Sequence, residues 1–196
     1  MKKLILAMAL HALALALCGS SLAAAVVTYE IRPDGKQLAE FHAEDTYDTF
    51  DGRTSRVTGT ITADAAAPAS SSVEVTIDLG SLDTGVALRN KEMRDLYLET
   101  RKFPNATFRS LAVTGPTSIQ PNQPADINVT GDFTLHGVTR RMRIPVRVVL
   151  IPDGRIHVTS RFNIKLGDFS INVPHNILVT VDDQVPVRLD LWATAK

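Results

Sequence analysis

The sequence predicts an all-β protein: about eight antiparallel strands in an up-and-down meander, with one short helix inserted around residues 86–99. Three observations carry this. Apolar and polar residues alternate with a period of two over much of the chain, Asp-Gly pairs and Pro- or Ser-rich stretches punctuate the alternating runs, and one segment free of glycine and proline has helical spacing. A meander of about eight strands closes as a barrel or packs as a two-sheet sandwich. Closure removes unpaired edges and leaves an eight-stranded barrel with room for one small ligand, so the barrel is preferred.

The chain opens on a segment unlike the rest. Lys2 and Lys3 precede an apolar run from Leu4 to Cys18, followed by Gly19, Ser20, Ser21 and the triplet Ala23-Ala24-Ala25. A basic start, an apolar stretch of this length and small residues at the cleavage positions describe a secretory signal peptide, residues 1–25, leaving a single mature domain over 26–196. His11 interrupts the run, which is short for a membrane span. Lipidation at Cys18 is the alternative processing, but Leu17 stands where such sites carry a small residue.

Within the mature region, Asp34-Gly35 lies between Tyr29–Ile31 and Leu38–Phe41, and Asp153-Gly154 between Val146–Ile151 and Ile156–Phe162. Asp-Gly supplies the positive φ angles of a tight turn, so each pair predicts a hairpin between sequential strands. Val73, Val75, Ile77 and Leu79 alternate with polar residues, as do Ile156, Val158, Phe162 and Ile164, and Val185, Val187, Leu189 and Leu191. This is the pattern of strands with one face on a core and the other in water. Ala65–Ser72 and Thr114–Asp126 read as polar loops. Val86, Asn90, Met93 and Tyr97 share a helical face, Asp83 or Thr84 is placed to cap the helix, and Pro104 blocks its continuation.

Composition excludes several functions. The chain of 196 residues has 21 basic and 21 acidic side chains, and the leader removes two lysines and no acids, so the mature protein carries a small acidic excess. That argues against a nucleic-acid partner bound by bulk charge. The lone cysteine forms no internal disulfide and no thiolate zinc site. The mature histidines, His42, His136, His157 and His175, show no ligand spacing, so no metal or other cofactor is expected. No Gly-x-Ser-x-Gly elbow and no phosphate loop occur. A non-catalytic binding module is therefore expected.

Two sets of residues are its candidate site. Val73, Val75, Ile77, Phe108, Ile127, Val129, Phe133, Val158, Phe162, Leu189 and Leu191 are the apolar residues expected to face inward and line a cavity. Arg89, Arg94, Arg101 and Lys102, with Lys91, gather in a basic cluster on and after the helix. A planar guanidinium suits a phosphate or carboxylate head group at a cavity mouth, and solvated pairing with Glu92, Asp95 and Glu99 is the plainer role for the same residues.

The stretch Val75–Gly85, followed by Arg89–Asp95 and Leu98–Phe108, resembles the central signature of the YceI-like family. Gly131-Asp-Phe-Thr-Leu-His-Gly-Val-Thr139 is similar to its second signature and Ile164-Lys-Leu-Gly-Asp-Phe-Ser-Ile171 to its third. The resemblance implies a lipocalin-like barrel, secreted or periplasmic, that carries or sequesters an amphiphilic lipid such as a polyisoprenoid or fatty acid, and it leaves room for a homodimer. Where the family often has a histidine shortly after the residue matching Phe41, this chain has Glu44 and Asp45, with His42 nearby. Two other roles remain open: a periplasmic interaction or stress-response protein with a filled barrel, and an enzyme on lipid or isoprenoid intermediates using His136 and Asp132.

Overall fold

The computed structural model describes residues 26–44, 46–172 and 182–196. The leader with Cys18, Asp45 and His175 lie outside the described residues. The strands are β1 (Val27–Ile31), β2 (Leu38–Glu44), β3 (Thr49–Thr54), β4 (Val57–Ala63), β5 (Ser72–Asp78), β6 (Asn105–Thr114), β7 (Ala125–Leu135), β8 (Val138–Ile151), β9 (Arg155–Lys165) and β10 (Gln184–Ala195), and the helix is α1 (Ala87–Glu92). These ten segments make eight staves. β1 and β2 both pair antiparallel with β10, at Tyr29↔Ala195 and Val187↔Phe41, so they are two parts of one interrupted stave. β4 and β3 pair with them in the same order and form the next stave. From β5 to β10 each strand pairs with its successor, and β10 returns to β1, closing an up-and-down antiparallel barrel.

The two Asp-Gly pairs therefore part company. Asp153-Gly154 makes the expected hairpin: Gly154 has φ +84°, and Ile151 pairs with Arg155. Asp34-Gly35 makes no hairpin, although Gly35 also has φ +84°. It lies in a detour after which the chain resumes its former direction along β10. Gln37 is the reason the detour holds. Its side-chain amide donates to the Trp192 carbonyl at 3.0 Å and to the Arg32 carbonyl at 2.9 Å, while its oxygen accepts from the Trp192 N–H at 2.8 Å. A buried side-chain amide thus takes the place of a missing peptide unit and satisfies both backbone groups of Trp192.

A true two-residue hairpin also joins β7 to β8, through His136 (φ +50°) and Gly137 (φ +76°), with Leu135 paired to Val138. Between β8 and β9 the ladder stops at Val146↔Ser160. Pro145 has no N–H to continue it, and the Ser160 hydroxyl caps the Pro145 carbonyl at 2.6 Å. Beyond that point the short turn Leu166–Phe169 packs against both strands, Arg140 donating to the Asp168 carbonyl at 2.9 Å.

The helix is shorter than its sequence pattern implies. After α1 the chain widens into one π turn over Met93–Tyr97, where Leu98 N–H reaches the Met93 carbonyl at 2.8 Å. Neither Asp83 nor Thr84 caps it. Val86 stands at the cap position, and Gly85 (φ +76°) turns the chain just before it. The bonds run the other way: Asn90 on the helix accepts from the Thr84 N–H and hydroxyl, both at 2.8 Å, and donates to Asp83 at 2.7 Å.

The interior falls into two clusters. One, at the β1 end, contains Tyr29, Ile31, Val57, Ile61, Ile127, Val129, Ile156 and Leu191. The other, under α1, contains Leu79, Leu82, Met93, Phe133, Leu135, Phe169 and Ile171.

Candidate functional site

Under α1 the barrel is hollow. A cavity of about 290 Å³ is bounded by inward residues of the staves, among them Ala39, Phe41 and Ala43 of β2, Phe50 of β3, Ile77, Ala106, Leu135, Ile164 and Val185. Met93, Tyr97 and Leu98 cover it from the helical segment, Leu79 and Leu82 from the turn before it, and Leu166 and Ile171 from the turn after β9. The walls are overwhelmingly apolar, with Arg89, Glu92 and Glu40 the charged exceptions. Such a surface does little for a polar reactant and much for a hydrocarbon, since burying apolar area contributes about 25 cal/mol per Å².

Close packing of aromatic side chains on glycines shapes the wall. Phe41 lies over Gly52 on the paired strand, its ring occupying the space that a Cβ there would fill. Phe50 meets Phe41 edge-on with centroids 6.3 Å apart, and the Arg89 guanidinium lies 4.0 Å from the Phe50 centroid. Arg89 also bonds Asp48 at 3.2 Å and the Thr84 hydroxyl at 3.1 Å. Its fork is therefore held at the cavity wall by an aromatic face and a carboxylate.

The structure separates the expected lining residues. Ile77 and Phe133 line the cavity. Val73, Val75, Ile127, Val129, Val158, Leu189 and Leu191 do not: they belong to the packed cluster at the other end, and Phe108, also outside the lining, packs against both clusters. Phe162 also lies outside the lining and packs edge-on against Phe133 at 6.4 Å. Alternation places a residue on the inner face but carries no record of its height in the barrel. Phe41, Phe50, Leu79, Leu82, Leu166 and Ile171, not expected as lining, come from strands and turns at the α1 end.

The basic cluster is likewise dispersed. Arg89 alone of the four borders the cavity. Arg94 turns to the Leu82 carbonyl at 2.7 Å and leaves its Nε without a partner. Arg101, 89% exposed, approaches Asp95 at 3.5 Å, and Lys102 lies over the Phe103 ring at 4.8 Å. Lys91 pairs with Asp95 at 3.1 Å, which lowers the Asp95 pKa. Arg89, Lys91 and Arg94 leave the helical segment in different directions and Arg101 and Lys102 lie beyond it, so sequence proximity did not make one rim.

The residues considered for catalysis do not meet. Asp132 faces outward and pairs with Arg141 at 3.0 Å. His136 bonds Glu99 at 2.8 Å and the Phe169 carbonyl at 3.2 Å, tying the β7–β8 turn to the end of the helical segment. His42 pairs with Asp51 at 2.8 Å, which lowers the Asp51 pKa, and His157 pairs with Asp190 at 2.8 Å while stacking on Trp192. Each contact is satisfied locally. Among the described residues no three metal-ligating side chains converge, and no helix is long and apolar enough to cross a membrane.

Fold and cavity together define a closed antiparallel β-barrel with an apolar pocket at one end beneath a short helical cover. The YceI-like domain matches residues 29–193, and the chain belongs to that family. Protein YceI of Escherichia coli O17:K52:H18 is 37% identical over 119 residues, 58% of this chain and 59% of that protein, so the match spans somewhat more than half of its length. A UPF0312 protein of Enterobacter sp. strain 638 is 33% identical over 179 residues, covering 87% of this chain and 88% of that one. Among solved structures, BcnA of Burkholderia cenocepacia superposes with a TM-score of 0.72 at 23% identity, over 84% of this chain and 99% of that one. A polyisoprenoid binding domain from Saccharophagus degradans, implicated in plant cell wall breakdown, gives 0.66 at 23% identity, over 88% of this chain and all of that one.

Proposed function

We propose that the protein is a non-catalytic carrier or sequestering protein for an amphiphilic lipid, working in the periplasm or outside the cell after loss of residues 1–25. The observation that carries this reading is the 290 Å³ apolar cavity with Arg89 held at its wall. A tail leaves water for the cavity, and the few polar groups at the wall orient the head. The likeness to the polyisoprenoid binding domain from Saccharophagus degradans supports a polyisoprenoid or similar long-chain ligand, and the basic-then-apolar leader supports export. The hollow α1 end favours a carrier over an interaction protein with a filled core. The separation of His136 from Asp132 weighs against an enzyme built on that pair.

The test is to purify the protein from its native host, extract it with organic solvent and record native mass spectra. The expected result is a co-purifying amphiphile and a chain beginning at Val26. Lipid-free protein that takes up no amphiphile in solution would overturn the proposal, and a diacylated Cys18 would redirect the localisation to a membrane-anchored form.

A further inference from the structure

The cavity has a floor, and the floor sets a length. On β5, β6, β7 and β10 the last lining residues are Ile77, Ala106, Phe133 and Val187. The next inward residues, Val75, Phe108, Gly131 and Leu189, lie outside the lining. The register shows the step: Ile77 pairs with Ala106 and Val75 with Phe108, and Phe108 is in turn level with the lining residue Phe133. Phe108 stands at this boundary, packed against both interior clusters. A Cβ on Gly131 would stand 2.5 Å from the Phe108 ring tip, so the ring lies across the neighbouring strand in space that only glycine leaves open. Ile77 is the other residue that packs against both clusters. In the packed cluster Ile31, Val57 and Ile156 are each at most 2% exposed, Val57 as the direct cross-strand partner of Ile77.

The volume above the floor is small. Since an apolar cavity of about 150 Å³ accepts one benzene ring, 290 Å³ holds two rings' worth, or about twelve carbons. Resting on the carrier reading above, we infer that the ligand is a single-chain amphiphile burying ten to twelve carbons, equivalent to about two isoprene units, and that Phe108 over Gly131 is the stop that excludes longer tails. A long polyisoprenoid would leave most of its chain in water, and its outer units would add nothing to affinity.

The test uses lipid-free mature protein and a series of n-alkyl carboxylates from six to eighteen carbons, each below its micellar concentration, followed by displacement of an environment-sensitive dye. Affinity is expected to rise about fourfold per added methylene and to level off near ten to twelve carbons. In Phe108→Ala the plateau moves out by about four carbons. Phe108→Leu, the variant to use if Phe108→Ala does not fold, moves it by about two. A wild-type series that keeps its slope to eighteen carbons overturns the length limit while leaving the carrier reading intact. A plateau unmoved in a folded Phe108 variant removes Phe108 as the stop. No binding at any length sinks the carrier reading itself.

Discussion

At the β1 end of the barrel, Ile31, Val57 and Ile156 are sealed by neighbours on adjacent staves, whereas at the α1 end residues of equal hydrophobicity, such as Leu135, Met93 and Ile171, face a cavity of 290 Å³. The difference lies in what reaches the axis. In the solid half, branched aliphatic and aromatic residues from different staves meet, with Tyr29, Ile61, Val129 and Leu191 in one cluster. At the cavity wall Ala39, Ala43 and Ala106 present only a methyl group. A sealed void of this size would cost up to about 7 kcal/mol at about 24 cal/mol per Å³, comparable to the whole stability of a domain. A binding site of this kind is tolerated because the other half of the same barrel is closed around fully buried residues such as Ile31, Val57 and Ile156.

That contrast can be broken from either side. Ile156→Ala should cost about 4 kcal/mol, because its neighbours cannot collapse into the gap, while Met93→Ala should cost about 2 kcal/mol, because Met93 already lacks contacts on its cavity side. Urea denaturation of the two variants checks this, and equal losses would mean that the two ends are equally well packed. Gln37→Ala should cost about 2 kcal/mol by stranding both backbone groups of Trp192. Gln37→Glu, which keeps the acceptor and loses the donor, should fall between it and wild type in thermal melts.

Ala106→Leu grows into the hollow and should change stability by no more than about 1 kcal/mol in either direction. Amphiphile binding should fall at least tenfold in the same variant, measured by dye displacement. The smallest effect concerns acid. The Asn90 amide, then the Gly85 N–H, hold Asp83 below the ordinary carboxylate range. With its folded pKa depressed, Asp83 adds stability above the unfolded value of 3.8 that is lost as pH falls through the folded one. Asn90→Ala should flatten the melting-temperature profile below about pH 4, and an unchanged profile would show that the helix entry does not depend on this pair.

Strand number, antiparallel order, the single helical insertion and the Asp153-Gly154 hairpin were legible because each is encoded within a few residues. The detour at Asp34-Gly35 was not. Its turn chemistry is the same as that of the true hairpin, and what decides between them is a long-range competition: β10 offers both flanking segments a partner, and Gln37 bridges the gap. The cavity shows the same limit. Period two told which face of Val73, Ile127 or Leu191 points inward, but whether an inward residue borders a hollow or a packed layer depends on the side chain across the axis. Of the helix face expected from Val86, Asn90, Met93 and Tyr97, the last two reach the cavity, while Val86 is exposed and Asn90 bonds Thr84 and Asp83.

The closing seam has a kinetic consequence. Tyr29↔Ala195 and Val187↔Phe41 join residues near the two ends of the described chain, and Lys196 N–H reaches the Thr28 carbonyl at 2.9 Å. Hairpins such as β7–β8 and β8–β9 can zip up locally, but the seam pays the loop-closure entropy of nearly the whole domain before it gains a single hydrogen bond. Refolding should therefore be slow for a chain of this size, with ring closure as the late step. Until it happens, the flanks of β2 and β10 are bare template edges on which another unfinished chain can grow.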